Sequence, residues 1–294
     1  MKKEVCMIKN YLELNRCEID RLNQFINRNK INKISSQDID KEFKSEEFNY
    51  GRGVIVKINE ENVIGTASVV LKECNEKGIA YVIKVDINER VEDKESAIYE
   101  IVEESKALAK KHGAKQLFMG TKDDTIIRTL NALNLEKQYS AIRMTLEDRR
   151  VYYTPLNLIK LSEQNKKEYL RIHNDAFKEA PNGATLTEKE VEKYINEADE
   201  NNCYYIATMN NERVGLLQFY IQDGVGEFEL GLIKAARGKG YGKLLLETAI
   251  SILNTKKVEK INLIVITKNV VAFDMYKKRG FMESELVSEW FQLY

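Results

Sequence analysis

The chain has 294 residues, enough for one large or two medium domains. Its 46 Lys and Arg balance its 46 Asp and Glu, and 43% of its residues are hydrophobic, which suits a globular protein with a sizeable core and argues against a general nucleic-acid binder. No apolar run reaches the ~20 residues that cross a bilayer, and no apolar h-region follows the charged start Met1-Lys2-Lys3-Glu4. Cys6, Cys17, Cys74 and Cys203 lack metal-ligand spacing, so the expectation is a cytoplasmic protein with reduced thiols, no metal, and neither nucleic acid nor membrane as partner.

In chain order, Val54–Ile58 and Val63–Leu71 read as strands around a turn at Asn59–Asn62, followed by a strand at Ala80–Ile87. Ser96–His112 has the apolar spacing of a helix and is closed by Gly113. A strand at Gln116–Gly120, a helix at Thr125–Leu133 and a strand at Tyr139–Leu146 complete the first half. The charged and polar stretch before Pro155 marks a linker near 148–156, which places one domain at 1–150 and another at 156–294.

The second half predicts a strand at Asn157–Leu161, a helix over Glu163–Lys178, and a second helix opened by the capping box Thr187-Glu188-Lys189-Glu190. Strands follow at Tyr204–Met209, Val214–Gln222 and Glu227–Ile233. A helix over Gly240–Asn254, a buried strand at Ile261–Ile266, a helix from Asn269 to Gly280, and strands at Phe281–Glu285 and Ser288–Leu293 end the chain. The two halves align at one offset, Leu117 on Leu263 and Leu135 on Phe281, as a duplicated unit would.

The chemistry sits in Arg237-Gly238-Lys239-Gly240-Tyr241-Gly242, between a strand and a helix. Glycines alternating there let free N–H groups at the helix N-terminus converge on an anion such as a diphosphate, with Arg237 and Lys239 at the rim. Its spacing and the antiparallel strands before it do not suit a Rossmann loop. Further on, Asn269, Ala272 and Tyr276 share one helix face, with Phe273 beside them.

Together, Arg-x-x-Gly-x-Gly from Arg237 and Asn-x-x-Ala-x-x-Met-Tyr-x-x-x-Gly-Phe ending at Phe281 resemble the GNAT superfamily of N-acetyltransferases. The first resembles its acetyl-CoA pyrophosphate loop and the second the helix near its pantetheine and thioester. The resemblance implies an α/β (α+β) fold of two tandem GNAT-like domains, each a mixed, mostly antiparallel sheet flanked by helices. It also implies an acetyl-CoA-dependent N-acetyltransferase in which a neutral amine of the acceptor attacks the thioester directly. Cofactor contacts would come from Leu232, Ile233, Arg237, Gly238, Lys239, Gly240, Tyr241, Gly242, Asn269, Ala272, Phe273 and Tyr276, with a backbone N–H near Leu232 or Ile233 as oxyanion donor. Tyr276 would protonate the leaving thiolate, and Glu227 or Glu229, two apart on one strand face, would take the amine proton.

At the shared offset the first half has Val91, Glu92, Lys94 and Ser96 where the second has Arg237, Gly238, Gly240 and Gly242. That half is expected to be a degenerate GNAT-like domain that does not bind CoA, an arrangement that resembles tandem enzymes with a working C-terminal half. An acyl-CoA sensor or protein-interaction module is the alternative. An aminoglycoside acceptor would require an acidic cleft. The sequence leaves the acceptor and the oligomeric state open.

Overall fold

The computed structural model describes residues 6–294, so the charged start at Met1–Glu4 lies outside the described residues. Two compact units form: one runs to Tyr139 and is joined by Ser288–Tyr294, and the other is Ser140–Val287. Each is a mostly antiparallel mixed sheet with helices on both faces. Among the described residues no helix is long and apolar enough to cross a membrane.

The first unit contains β1 (Met7–Asn10), α1 (Arg16–Asn27), α2 (Ser36–Phe43), β2 (Val54–Ile58), β3 (Val63–Val70), the single turn α3 (Cys74–Lys77), β4 (Ile79–Ile87), α4 (Lys94–Lys111), β5 (Gln116–Thr121) and α5 (Asp124–Ala132). The strands β1 to β4 are antiparallel neighbours in chain order, and β4 runs parallel to β5. Successive side chains of a strand point to opposite faces. Accordingly Val54, Val56 and Ile58 pack with α1 and α2, while Ile55 packs with α4 and α5. The segment β1–α1–α2 supplies the strand and helix pair that the sequence reading left unassigned before Val54.

The second unit has the same order: β7 (Asn157–Lys160), α6 (Lys166–Phe177), α7 (Glu188–Glu197), β8 (Asn202–Met209), β9 (Glu212–Gln222), β10 (Val225–Leu232), α8 (Tyr241–Thr255), β11 (Lys260–Ile266) and α9 (Val270–Arg279). Thr187 caps α7 in the expected capping box. The tight turns between its strands use residues that tolerate positive φ, Asn210-Asn211 and Asp223-Gly224, as two-residue hairpins require. Leu216 packs under α6 and α7, whereas Leu217, Phe219 and Phe228 pack under α8 and α9.

The two remaining strands cross between the halves of the sequence. β6 (Glu136–Leu146) belongs to the second unit from Ser140 onward, where Ala141 to Thr145 pair antiparallel with β11. β12 (Phe281–Gln292) is one strand rather than the two short ones expected. Its end, Glu289–Gln292, pairs with β5 and sends Phe291 into the first unit's core. The compact units therefore divide at 139/140 and 287/288, not at a cut near 148–156. The linker signal is still visible as the unpaired stretch 147–156 that leads from β6 into β7. Strand exchange of this kind leaves no mark on a local reading, because a strand's own pattern does not name its neighbour.

Candidate active site

The strands β10 and β11 are parallel neighbours only at their start, where Val225, Gly226 and Glu227 lie opposite Lys260, Ile261 and Asn262. Beyond that both strands continue without pairing to each other, and a gap opens in the sheet. On its other edge β10 stays paired with β9 as far as Leu232. The Ile233 N–H donates to the Val214 carbonyl at 3.1 Å. Alternation along an extended strand then turns the Leu232 N–H away from β9 and toward the gap. Of the two candidate oxyanion donors, Ile233 is spent on the sheet and Leu232 is available.

At the end of β10 the chain enters the glycine loop. Gly238 and Gly240 adopt φ of +76° and +83°, and a Cβ on either would meet nothing within 4 Å. The backbone therefore selects glycine by conformation, and the space above it is open for a ligand. Gly240 is the N-cap of α8 and supplies no side-chain cap, which leaves first-turn N–H groups of the helix for an anion. Gly242 sits where a Cβ would lie 3.4 Å from the Met275 sulfur and 3.6 Å from a methyl of Leu232. The loop, the end of β10 and α9 thus converge at one place. A diphosphate fits this cradle, and an extended amide-bearing arm fits the unpaired edge of β10.

Several predicted contacts serve other ends. The Arg237 guanidinium bonds Glu179 at 3.0 Å and the Ala176 carbonyl at 2.9 Å, so it fastens the loop to α6 rather than facing the glycines. Lys234 adds bonds to Asp175 and Glu179, and these two cations hold the Glu179 carboxyl below its ordinary range. Lys239 is exposed. The Asn269 side chain caps α9 by accepting from the Ala272 N–H at 3.3 Å. Ala272, Phe273 and Tyr241 are half-buried against the core, and the Lys277 ammonium lies over the Phe273 ring.

Tyr276 projects from α9 into the core under α8, against Phe281. Burial, reinforced by the charge of Glu229, pushes its hydroxyl well above the ordinary phenol value, and that hydroxyl has no hydrogen-bond partner among the described residues. Glu229 points to the opposite face of the sheet, the face of α6 and α7, because it alternates with Phe228 and Leu230. Its side chain is exposed to solvent, more so than the half-buried Glu227, although protein crowds its carboxyl. Burial raises its carboxyl above the usual glutamate value; Gln218, which donates to it from β9, works against that rise, and Glu227 adds to it. The two candidate proton-transfer groups therefore stand on opposite faces of the sheet, on either side of the gap between β10 and β11.

Around Glu229 the structure gathers residues that sequence reasoning missed. Gln218 is 6% exposed and lies 3.4 Å from the Tyr169 hydroxyl of α6. Tyr194 of α7 stacks on Tyr204 of β8 with centroids 4.5 Å apart, and Tyr220 lies opposite Glu227. Gln218 had a detectable signal, a polar residue inside the apolar run Val214–Ile221. The tyrosines had none, since each reads as ordinary core. Arg143 of β6 also reaches this group and bonds Glu227 at 3.2 Å.

The equivalent place in the first unit is built differently. The carboxylate of Asp93 caps α4 by accepting the Ser96 N–H at 2.9 Å, so a side chain occupies the position of a bound anion. Beside it lies a cavity of about 600 Å³ lined by Glu89, Glu92, Asp93 and Glu95 with Lys94 and Arg128. Tyr81, at the offset position of Glu227, is buried in a cluster with Phe118, Tyr139 and Trp290. Among the described residues no group of three or more His, Cys, Asp or Glu is arranged to hold a metal ion.

Residues 167–281 match the family model described as the acetyltransferase (GNAT) family. That match covers most of the second unit, which accordingly resembles a GNAT-type acetyltransferase domain, a family that uses acetyl-CoA as cosubstrate. Solved structures of similar fold include a GCN5-related N-acetyltransferase from Sphaerobacter thermophilus, 11% identical with TM-score 0.64 over 98% of this chain and 95% of that one. A GNAT-family acetyltransferase from Colwellia psychrerythraea is 10% identical with TM-score 0.57 over 97% and 98%. A tandem GNAT protein from the clavulanic acid biosynthesis pathway is 9% identical with TM-score 0.61 over 98% of both chains. At such identities these likenesses bear on fold alone. No curated protein matches the sequence.

Proposed function

We propose that the second unit transfers the acetyl group of acetyl-CoA to a primary amine by direct attack, and that the first unit is a degenerate copy without a cofactor site. The observation that carries this reading is the contrast between the two helix N-termini. Gly240 leaves α8 uncapped beneath open space, while Asp93 plugs α4 with its own carboxylate.

Acetyl-CoA supplies an activated acyl carbon and a thiolate leaving group. First-turn N–H groups of α8 hold the diphosphate, and the unpaired edge of β10 at Leu230 and Leu232 aligns the arm that carries the thioester. Glu229 accepts the proton released as the amine nitrogen bonds to the acyl carbon. The Leu232 N–H donates to the carbonyl oxygen as that atom gains charge. Tyr276 gives its proton to the departing sulfur, and the proton returns to Tyr276 from Glu229 through solvent of the cleft. Burial makes Glu229 more basic and keeps Tyr276 protonated until the thiolate forms, while making Tyr276 a weaker donor than an ordinary phenol.

Calorimetric titration of acetyl-CoA tests the assignment. One site per chain is expected in the wild type and none in Gly240→Glu, because a carboxylate would then stand in the cradle. Two sites would show that the first unit also binds. No binding to the wild type would overturn the transferase reading.

A further inference from the structure

We propose that Arg143, carried into this site by β6, is the positioning residue that divides the two glutamates of β10 between roles: it ties Glu227 into an ion-paired bridge and leaves Glu229 to exchange a proton. The inference rests on the transferase reading of the cleft. Both glutamates project from one face of β10, about 6.6 Å apart along the strand, and nothing in their local sequence distinguishes them. Their neighbours do.

The Arg143 side chain spans from β6 across β11 to β10. Its Nε donates to Glu227 at 3.2 Å, and its Nη1 donates to Glu285 of β12. The guanidinium is 31% exposed and Glu227 26%, so the bridge is partly shielded from solvent. Register explains the reach. Glu227 lies opposite Asn262, Asn262 lies opposite Thr145, and Arg143 is the next residue on that face of β6. Glu229 is one rung further into the gap. It receives its hydrogen bond from the neutral amide of Gln218, and no Lys or Arg bonds it among the described residues.

The groups that face Glu229 are Glu227 on its own strand, Tyr220 on β9, Tyr204 on β8, Tyr169 on α6 and Tyr194 on α7, and Tyr276 on α9 interacts with it from the opposite face of the sheet. The phenols are neutral in the working range, which leaves Glu227 as the ion that acts on Glu229 and Arg143 as its counter-ion. Removing Arg143 exposes Glu229 to an uncompensated like charge. In a wet cleft at that separation such a charge raises a carboxyl midpoint by about one pH unit. Arg143 also comes from the segment that follows the first repeat, so the second repeat alone lacks it.

The test is an NMR pH titration of the full chain labelled with carboxyl-13C glutamate, with the Glu229 signal assigned through Glu229→Gln. Arg143→Met is expected to raise the Glu229 midpoint by about one unit. Arg143→Lys, which keeps the charge, should stay within about a third of that shift. Arg143→Met/Glu227→Gln should return to the wild-type midpoint or below it. Glu227→Gln alone should lower the Glu229 midpoint by a comparable amount, because it removes the like charge and leaves the Arg143 cation, and adding Arg143→Met to it should bring the midpoint back up; this pair decides the matter even if Arg143→Met alone does not fold. An unmoved midpoint in Arg143→Met, a shift that persists undiminished in the double variant, or an unmoved midpoint in Glu227→Gln would overturn the proposal. Acetyl-CoA binding, measured in parallel on the same variants, is expected to be unchanged. Its absence from the wild type would count against the transferase reading, whereas the titration decides the role of Arg143.

Discussion

Glu229 is subject to opposing influences, and their balance sets its expected behaviour. Burial and Glu227 raise its midpoint, while the Gln218 amide lowers it, and the net direction is upward. As the proposed base, Glu229 would work only when deprotonated, so activity should be lost as pH falls through that raised midpoint. The acid limb of the kcat/KM profile is therefore expected above the ordinary glutamate value of about 4.3. Glu229→Gln should reduce kcat by about 10²- to 10⁴-fold with little change in acetyl-CoA affinity. The same shift has a cost in stability. A carboxyl whose folded midpoint exceeds its unfolded one weakens the fold at pH above both, because the unfolded chain then sheds the proton more readily. Thermal unfolding at pH 7 should consequently find Glu229→Gln at least as stable as the wild type, and a clear loss of Tm would contradict this account. Tyr276→Phe removes the proposed acid, whose hydroxyl has no hydrogen-bond partner among the described residues. A fall in kcat on the order of 10²-fold or more is expected, with the fold unaltered by far-ultraviolet circular dichroism.

At the scale of elements, the gap between β10 and β11 depends on how tightly β10 can sit on β9. Gly215 permits this contact. A Cβ there would lie 2.0 Å from the Gly231 carbonyl oxygen, a backbone atom that has nowhere to move without shifting β10. Gly215→Ala is expected to destabilise the protein by about 1–3 kcal/mol, as overpacking does. It should also weaken acetyl-CoA binding, since Leu230 and Leu232 would be displaced. Chemical denaturation and calorimetry check the two effects separately, and an unchanged affinity would mean that β10 does not align the cofactor. The α6 end of the site is held by charge rather than packing, through Glu179, Lys234 and Arg237. These side chains are largely exposed, so each pair contributes little to stability, and their role is to keep the loop against α6.

For the molecule as a whole, the exchanged strands make each unit depend on sequence from the opposite half. Met144 and Leu146 of β6 lie in the second unit's core, and Phe291 and Leu293 lie in the first unit's. A fragment that starts at 156 lacks β6 and leaves the edge of β11 unpaired beside lost core volume; it is expected not to fold on its own. Deleting 288–294 should instead raise hydrogen exchange across 6–139 while α8 and β10 stay protected. Equal exposure of both units on that deletion would show that they unfold together.

The duplicated order of elements, the glycine loop, the placement of Tyr276 and the pair Glu227 and Glu229 were all legible in the sequence. Each is a local matter: periodicity selects a strand or a helix, and φ near +80° at Gly238 and Gly240 excludes other residues from the loop. The boundaries of the units were not legible, nor was the partner of β6, because pairing across more than 100 residues depends on which exposed edge a strand meets. The same reason hid Arg143 beside Glu227, Gln218 beside Glu229, and the use of Arg237, Asn269 and the Ile233 N–H as fasteners. Sequence by itself determined which residues are the candidates for the chemistry of a transferase. Only the tertiary structure decided what surrounds each of them, since two identical carboxyls on one strand face differ solely in what the other strands bring against them.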